Sequence, residues 1–136
     1  MEYKKDNWHP LSAIQRSLWL QYRIYPETHG LYNASFCVRI LDRLDAIHLQ
    51  GALNALAARH SILRVRFQEV DGAPGQCVDP NATVEVAVFD VEHFSDEQLK
   101  QCLLEDTVKP FDLAQAPLVR AGIYRRSDQQ CILLLV

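Results

Sequence analysis

Apolar side chains first fall into register from residue 11. At about 100° per residue, Leu11, Ile14, Leu18 and Tyr22, with Gln15 among them, share one side, which predicts a helix over residues 12–25 with that side facing a core. Ser12 and Gln15 have capping-box spacing, in which hydroxyl and amide satisfy two orphan backbone donors reciprocally. The pattern then changes to period two: Ala34, Phe36, Val38 and Ile40 alternate with Ser35, Cys37 and Arg39, a strand over residues 32–41. Asp45 opens a second helix running to residue 60, whose core stripe is Leu49, Leu53, Leu56 and His60. Residues 62–70 alternate again, and Asp71-Gly72 is a tight-turn signal leading to residues 75–78, so 62–78 reads as a hairpin. A short strand follows over 83–91. Ser95 and Gln98 form a second capping box, opening a helix with Leu99, Cys102 and Leu103 inward. Pro110 ends it; residues 118–125 and 132–136 are the last strands, joined by a turn at 127–129.

The order of elements predicts an α/β (mixed α+β) fold, a mixed sheet with helices packed on it. Residues 1–10 read as an irregular lead-in and 11–136 as one lobe, with no repeat or linker dividing it. The run from Cys131 to Val136 is apolar without interruption. A strand apolar on both faces belongs in the middle of a sheet with both sides covered. Chains seldom stop there, so the expectation is a piece of a larger fold, cut inside a central strand.

Composition narrows the function classes. The chain has 136 residues, 49% hydrophobic and 23% charged, which is the make-up of a globular domain. A net charge of -3 without basic clusters argues against a nucleic-acid partner, because phosphate binding needs concentrated Lys and Arg. The longest apolar run is far short of the ~20 residues a membrane span needs, and the charged, polar N-terminus lacks the apolar core of a signal peptide. No membrane partner is expected, and the location expected is the cytoplasm. The four cysteines, Cys37, Cys77, Cys102 and Cys131, form no close pair and lie among apolar neighbours, so they read as reduced core or near-core thiols and no metal site is expected. The five histidines are scattered, and each reads singly as a surface or satisfied structural histidine. No phosphate-binding glycine loop, zinc helix or nucleophile elbow is present.

Two segments carry more. Leu11-Ser12-Ala13-Ile14-Gln15-Arg16-Ser17-Leu18-Trp19 and Arg59-His60-Ser61-Ile62-Leu63-Arg64-Val65-Arg66-Phe67 resemble the first two core motifs of the condensation domains of nonribosomal peptide synthetases. The first family motif reads Ser-x-Ala-Gln-x-Arg-Leu-Trp. Ser12, Gln15, Leu18 and Trp19 fit it, while Ile14 stands where Ala is common and Arg16 sits directly after Gln15. The second reads Arg-His-Glu-x-Leu-Arg-Thr-x-Phe. Arg59, His60, Leu63, Arg64 and Phe67 match; Ser61 replaces the Glu and Val65 the Thr. Tyr32-Asn33, Leu44-Asp45, Asp71-Gly72 with Gln76, Phe111-Asp112-Leu113 and Pro117-Leu118 follow the family order, so the resemblance runs from about residue 8 to the end.

In that family a strand like residues 132–136 runs into His-His-x-x-x-Asp-Gly, whose second His is the catalytic-centre residue. These 136 residues contain no such motif, so no catalytic residue is expected within them; it is expected just after Val136. The resemblance implies part of the N-terminal lobe of a chloramphenicol acetyltransferase-like fold, with two lobes in a V and a tunnel between them. It implies amide formation between substrates carried as thioesters on the phosphopantetheine of donor and acceptor carrier proteins, with no cofactor bound by this chain. The partners implied are those carriers, the remainder of the condensation domain and neighbouring synthetase modules. Arg59, with Arg64 as a second brace, is implied to support the catalytic loop by pairing with the Asp of the third motif. The first-motif helix places Leu20 and Ile24 opposite its expected core side. These two, with Arg23 or Arg16, are the expected contact for the acceptor carrier. His60 is expected to be structural rather than a base. Two other readings stand beside this one: an acyl-coenzyme A-dependent acyltransferase of the same superfamily, and a non-catalytic lobe serving as scaffold or carrier-docking surface.

Overall fold

The computed structural model describes residues 7–136. In chain order its elements are β1 (His9–Pro10), α1 (Ala13–Ile24), β2 (Phe36–Ile40), α2 (Ala46–Arg59), β3 (Val65–Val70), β4 (Ala73–Val78), β5 (Val86–Asp90), α3 (Asp96–Val108), β6 (Ala121–Ser127) and β7 (Gln130–Leu135). Single turns of 3-10 helix lie at Pro26–Thr28 and Ser61–Arg64. Among the described residues no helix is long and apolar enough to cross a membrane.

Each long helix starts where its sequence provides a cap. The Ser12–Gln15 box closes in both directions, with Gln15 N–H donating to Ser12 Oγ at 3.2 Å and Ser12 N–H to Gln15 Oε1 at 2.9 Å. Ser95 and Gln98 repeat this at α3. Asp45 Oδ1 accepts from the backbone N–H of Ile47 and His48, and these bonds, His48 first, hold its carboxyl below the usual aspartate range.

The strands form two sheets. β1-β4-β3 is a small antiparallel sheet, and β2-β7-β6-β5 is a mixed sheet in which β5 runs parallel to β6 and the other pairs are antiparallel. The last strand is central, as its composition requires, with β2 on one side and β6 on the other. Its side chains divide by parity. Cys131 and Leu133 meet Leu44, Ala46 and Leu49 on the α2 side, where Leu135 packs as well. Ile132, Leu134 and Val136 meet Leu99, Cys102 and Leu103 of α3. A continuous apolar run is what a strand sandwiched between two helices needs. The β3–β4 hairpin turns on Asp71 (φ 52°) and Gly72 (φ 79°), the paired positive φ of a type I′ turn.

Several expectations are corrected. Ile14 and Leu18 do not face a core; they are 75% and 43% exposed. α1 does not lie on the large sheet, and its contact side is rotated toward Gln15, Trp19 and Tyr22. α2 seats itself through Leu49, Leu53 and Ala57, leaving Leu56 and His60 exposed. Two causes are visible. Ala57 is small enough to pack directly on Val84 and Ala121, and amides on the same side hold the chain leading into and along edge strand β5. Asn54 Oδ1 accepts from Val84 N–H at 2.7 Å and Nδ2 donates to Val84 O at 3.1 Å, while Gln50 Oε1 accepts from Val86 N–H at 3.2 Å. The strand expected from residue 62 begins at Val65, because residues 61–64 make a 3-10 turn out of α2. The lead-in is not irregular throughout: His9 and Pro10 pair with Gln76 and Gly75, while its residues 1–6 lie outside the described ones. Cys77 and Cys131 are buried and Cys102 partly so, but Cys37 is exposed on edge strand β2.

Candidate functional site

The second sequence motif lies beside the C-terminal end of β7, and the first faces the second across a cavity. On the α2 side, Leu63 of the second motif packs with Val119 and Leu135 against Ala57, Val84 and Ala121. Arg64 closes the last turn of α2, its Nε donating to Ala57 O at 2.9 Å, and its Nη1 reaches Asp79 O at 3.3 Å just beyond β4. A guanidinium suits this place because the last carbonyls of a helix lack intrahelical donors and carry the negative end of its dipole. Arg59 is the exposed last residue of α2. The second motif thus braces the α2 side of the β7 exit from within this chain.

On the α3 side Arg120 pairs with Val136 at the end of β7, and Tyr124 lies opposite Ile132 nearer the start of that strand. Tyr124 is 1% exposed, stacks on Phe89 at 4.8 Å between centroids, and its hydroxyl donates to the Asp106 carboxylate. Burial, and then that hydrogen bond, push its phenol well above the usual tyrosine range.

The first motif forms one wall of a cavity of about 200 Å³. Gln15, Leu18, Trp19 and Tyr22 of α1 line it, facing Phe67 of the second motif, and Phe111 and Leu113 close it. Gln15 shows why an amide is needed at this motif position. Its Oε1 takes the Ser12 N–H, and its Nε2 donates to Gln76 Oε1 at 3.1 Å, while Gln76 Nε2 donates on to Pro10 O. A carboxylate could do the first but not the second. Phe67 N–H donates to Leu113 O at 2.7 Å, fastening the 111–113 segment to β3. Tyr22 donates to Phe111 O at 3.2 Å and stacks on His29 at 3.6 Å, and His29 Nε2 donates to Tyr22 O at 2.7 Å. Asn33 Nδ2 donates to Thr107 O and Lys109 O, tying the cavity to the C-terminal end of α3. Both distal walls lead to the β7 exit: Asn33 lies three residues before Phe36, the partner of Leu135, and Arg120 lies over the Phe111 ring.

The site residues expected from sequence separate into three groups. Ser12 and Gln15 anchor the start of α1, and Trp19 is half-buried in the cavity wall, 6.4 Å from Tyr22. Leu20 and Ile24 are 54% and 61% exposed, and Arg16 is exposed beside them in sequence. Arg23 is instead engaged at 3.6 Å with Glu69 of β3, a surface pair of the kind that contributes little. Tyr22 was expected in the core but lines the cavity, and His29, Phe111 and Arg120 had no assigned role. For Tyr22, Phe111 and Arg120 the signal in the sequence is weak because their contacts lie far along the chain: Tyr22 donates to Phe111 O, and Arg120 reaches three carbonyls before and at Pro110 and the Phe111 ring. Among the described residues no group of His, Cys, Asp and Glu is placed to hold a metal ion.

Known proteins resemble this chain along almost its whole length. Tyrocidine synthase 3 of Brevibacillus parabrevis is 33% identical over 131 residues, covering 96% of this chain and 2% of the relative. Surfactin synthase subunit 2 of Bacillus subtilis (strain 168) is 33% identical over 132 residues, covering 96% and 4%. Among solved structures, the starter condensation domain of rhizomide synthetase superposes with a TM-score of 0.82 at 22% identity, over 94% of this chain and 31% of that one. A four-domain nonribosomal peptide synthetase bound to AMP and glycine gives 0.83 at 24% identity, over 94% and 10%. The chain therefore spans a few per cent of these curated relatives and no more than about a third of these two solved chains. The sequence pattern of the condensation-domain family matches residues 5–136. The chain belongs to the condensation-domain family.

Proposed function

We propose that this chain forms part of the N-terminal lobe of a domain that joins two carrier-bound thioester substrates by an amide bond, within a cytoplasmic nonribosomal peptide or hybrid polyketide-peptide synthetase. The observation that carries the reading is that the second family motif braces the end of β7, the strand expected to lead into the His-His-x-x-x-Asp-Gly motif, while the first motif faces the second across the cavity. In the reaction the acceptor's α-amine attacks the donor thioester carbonyl, the tetrahedral oxyanion collapses with cleavage of the C–S bond, and the amine proton passes to the leaving thiolate. Holding two tethered reactants in line is worth up to ~7–11 kcal/mol of barrier. The role of this chain is support: Arg64 and Leu63 fix one side of the strand from which the catalytic loop springs, and Arg59, exposed at the end of α2, is offered to the Asp of that loop.

Donor and acceptor carrier proteins loaded with aminoacyl thioesters provide the test. The complete synthetase containing this chain is expected to give the amide product, and the isolated 136 residues none, since they contain no His-His motif. Product from the isolated chain would sink the assignment of catalysis to the following segment. Product from a soluble acyl-coenzyme A but not from a carrier would favour the acyltransferase reading.

The acceptor carrier is proposed to dock on the exposed side of α1. Leu20 and Ile24 offer the apolar contact, and Arg16, together with Arg23 once released from Glu69, meets acidic or phosphate groups. In the complete protein Leu20→Ser with Ile24→Ser is expected to weaken acceptor-carrier affinity about tenfold or more at an unchanged melting temperature, since these side chains are already largely exposed. Unchanged affinity, or binding lost only in step with the fold, would count against the contact.

A further inference from the structure

We infer that Arg120 is a positioning residue for the segment that follows Val136, holding the β7 exit rigidly against the C-terminal end of α3. The inference rests on the proposed function, in which that segment carries the catalytic motif.

Arg120 acts through both its backbone and its side chain. Its N–H donates to Val136 O at 2.8 Å and its carbonyl accepts from Val136 N–H at 3.0 Å, a closed pair that continues the β6–β7 register one step beyond Ala121 and Leu135. By strand alternation the Arg120 side chain lies on the same face as Tyr124, the α3 face. There its Nη2 donates to Asp106 O at 3.1 Å and Lys109 O at 2.6 Å, and its Nη1 to Pro110 O at 3.2 Å. The guanidinium carbon sits 3.8 Å from the centroid of the Phe111 ring. One planar fork thus satisfies three carbonyls at and beyond the helix end while stacking on an aromatic face. Lysine, with a compact head and no plane, cannot reproduce this. Asn33 donates to the same Lys109 carbonyl. The β7 exit, the end of α3 and the segment before β2 are thereby joined at one point, and Val136 cannot tilt without disturbing it. A misplacement of about 1 Å at reacting groups can cost about a hundredfold in rate, so the direction in which the chain leaves Val136 matters to catalysis.

The test uses the complete synthetase. Arg120→Met and Arg120→Lys are compared with Asp45→Ala, which removes the cap at the opposite, N-terminal end of α2 and touches nothing at Val136. Turnover with loaded carriers, melting temperature and hydrogen exchange at the Val136 amide are measured. Arg120→Met is expected to lower kcat about tenfold or more with KM for the acceptor carrier within twofold, and to speed exchange at Val136. Asp45→Ala, at a similar loss of melting temperature, is expected to keep kcat within twofold. Arg120→Lys is expected to show the same pattern more mildly, and it decides the matter if the methionine variant does not fold. The inference is overturned if kcat in the arginine variants is unchanged, or falls only as far as in Asp45→Ala at equal stability. No amide product from the unmutated protein would overturn the functional reading first, and this inference with it.

Discussion

Gly30→Ala is expected to destabilise the chain by about 3 kcal/mol or more, lowering its melting temperature by about 10 °C. A Cβ added at Gly30 would stand 1.7 Å from the carbonyl oxygen of Val108 and 2.7 Å from its carbon. Both atoms are backbone in the last turn of α3, so no side-chain rotation relieves the overlap. The segment after α1 and the end of α3 would have to separate by more than an ångström. That movement would strain the Asn33 bonds to Thr107 and Lys109, and with them one wall of the cavity. Gly51 makes the contrasting case. It lies inside α2, and a Cβ there meets nothing within 4 Å, so Gly51→Ala is expected to stabilise by about 0.5–1 kcal/mol through helix propensity alone. Denaturant titrations of the two variants should shift in opposite directions. A Gly30→Ala midpoint close to wild type would mean that the two backbones are not in contact there.

The contrast between these two glycines shows what the sequence could and could not reveal. Local rules were legible. The capping boxes at Ser12 and Ser95, the Asp45 cap, the Asp71-Gly72 turn and the central, two-faced character of the last strand depend on residues close together in the chain, and the structure has each of them. The family motifs likewise located the ends of α1 and α2. What periodicity could not supply was the rotation of a helix about its axis. In α2, Leu56 and Ala57 compete for the buried position, and hydrophobicity favours Leu56. Close packing of Ala57 on Ala121 and the amide bridges of Asn54 and Gln50 to the β5 side turn the helix the other way. In α1, the side expected to face a core includes Gln15 and Tyr22, but Ile14 and Leu18 of that side stay largely exposed, and the contacts are made by Gln15, Tyr22 and, outside the expected side, Trp19. They form the contact side because their partners, Gln76, Phe67 and Phe111, lie far along the chain. Nothing near Gly30 in sequence indicates that Val108 is its neighbour.

Tyr124→Phe is expected to lower stability at neutral pH by about 2 kcal/mol and to flatten its loss in alkali. The hydroxyl donates to the Asp106 carboxylate, and a hydrogen bond to a charged group contributes roughly 1.5–3 kcal/mol. The ring remains buried and stacked on Phe89 in either variant, so packing changes little. The pH dependence follows from the upward shift of the phenol, caused by burial and then by the Asp106 bond. The folded state holds this proton more tightly than the unfolded chain, whose tyrosine titrates near 10. The resulting stability is complete below about pH 10 and is lost as pH rises from there toward the folded value, at up to about 1.4 kcal/mol per pH unit. Phenylalanine has no proton to lose. The difference between wild type and variant should therefore shrink from about 2 kcal/mol at pH 7 to less than 1 kcal/mol at pH 11, while the other tyrosines contribute equally to both and cancel. Urea titrations of the two proteins between pH 7 and pH 11 measure this directly. Parallel stability curves over that range would show that Tyr124 titrates as an ordinary phenol and does not link α3 to β6 as a buried, neutral donor.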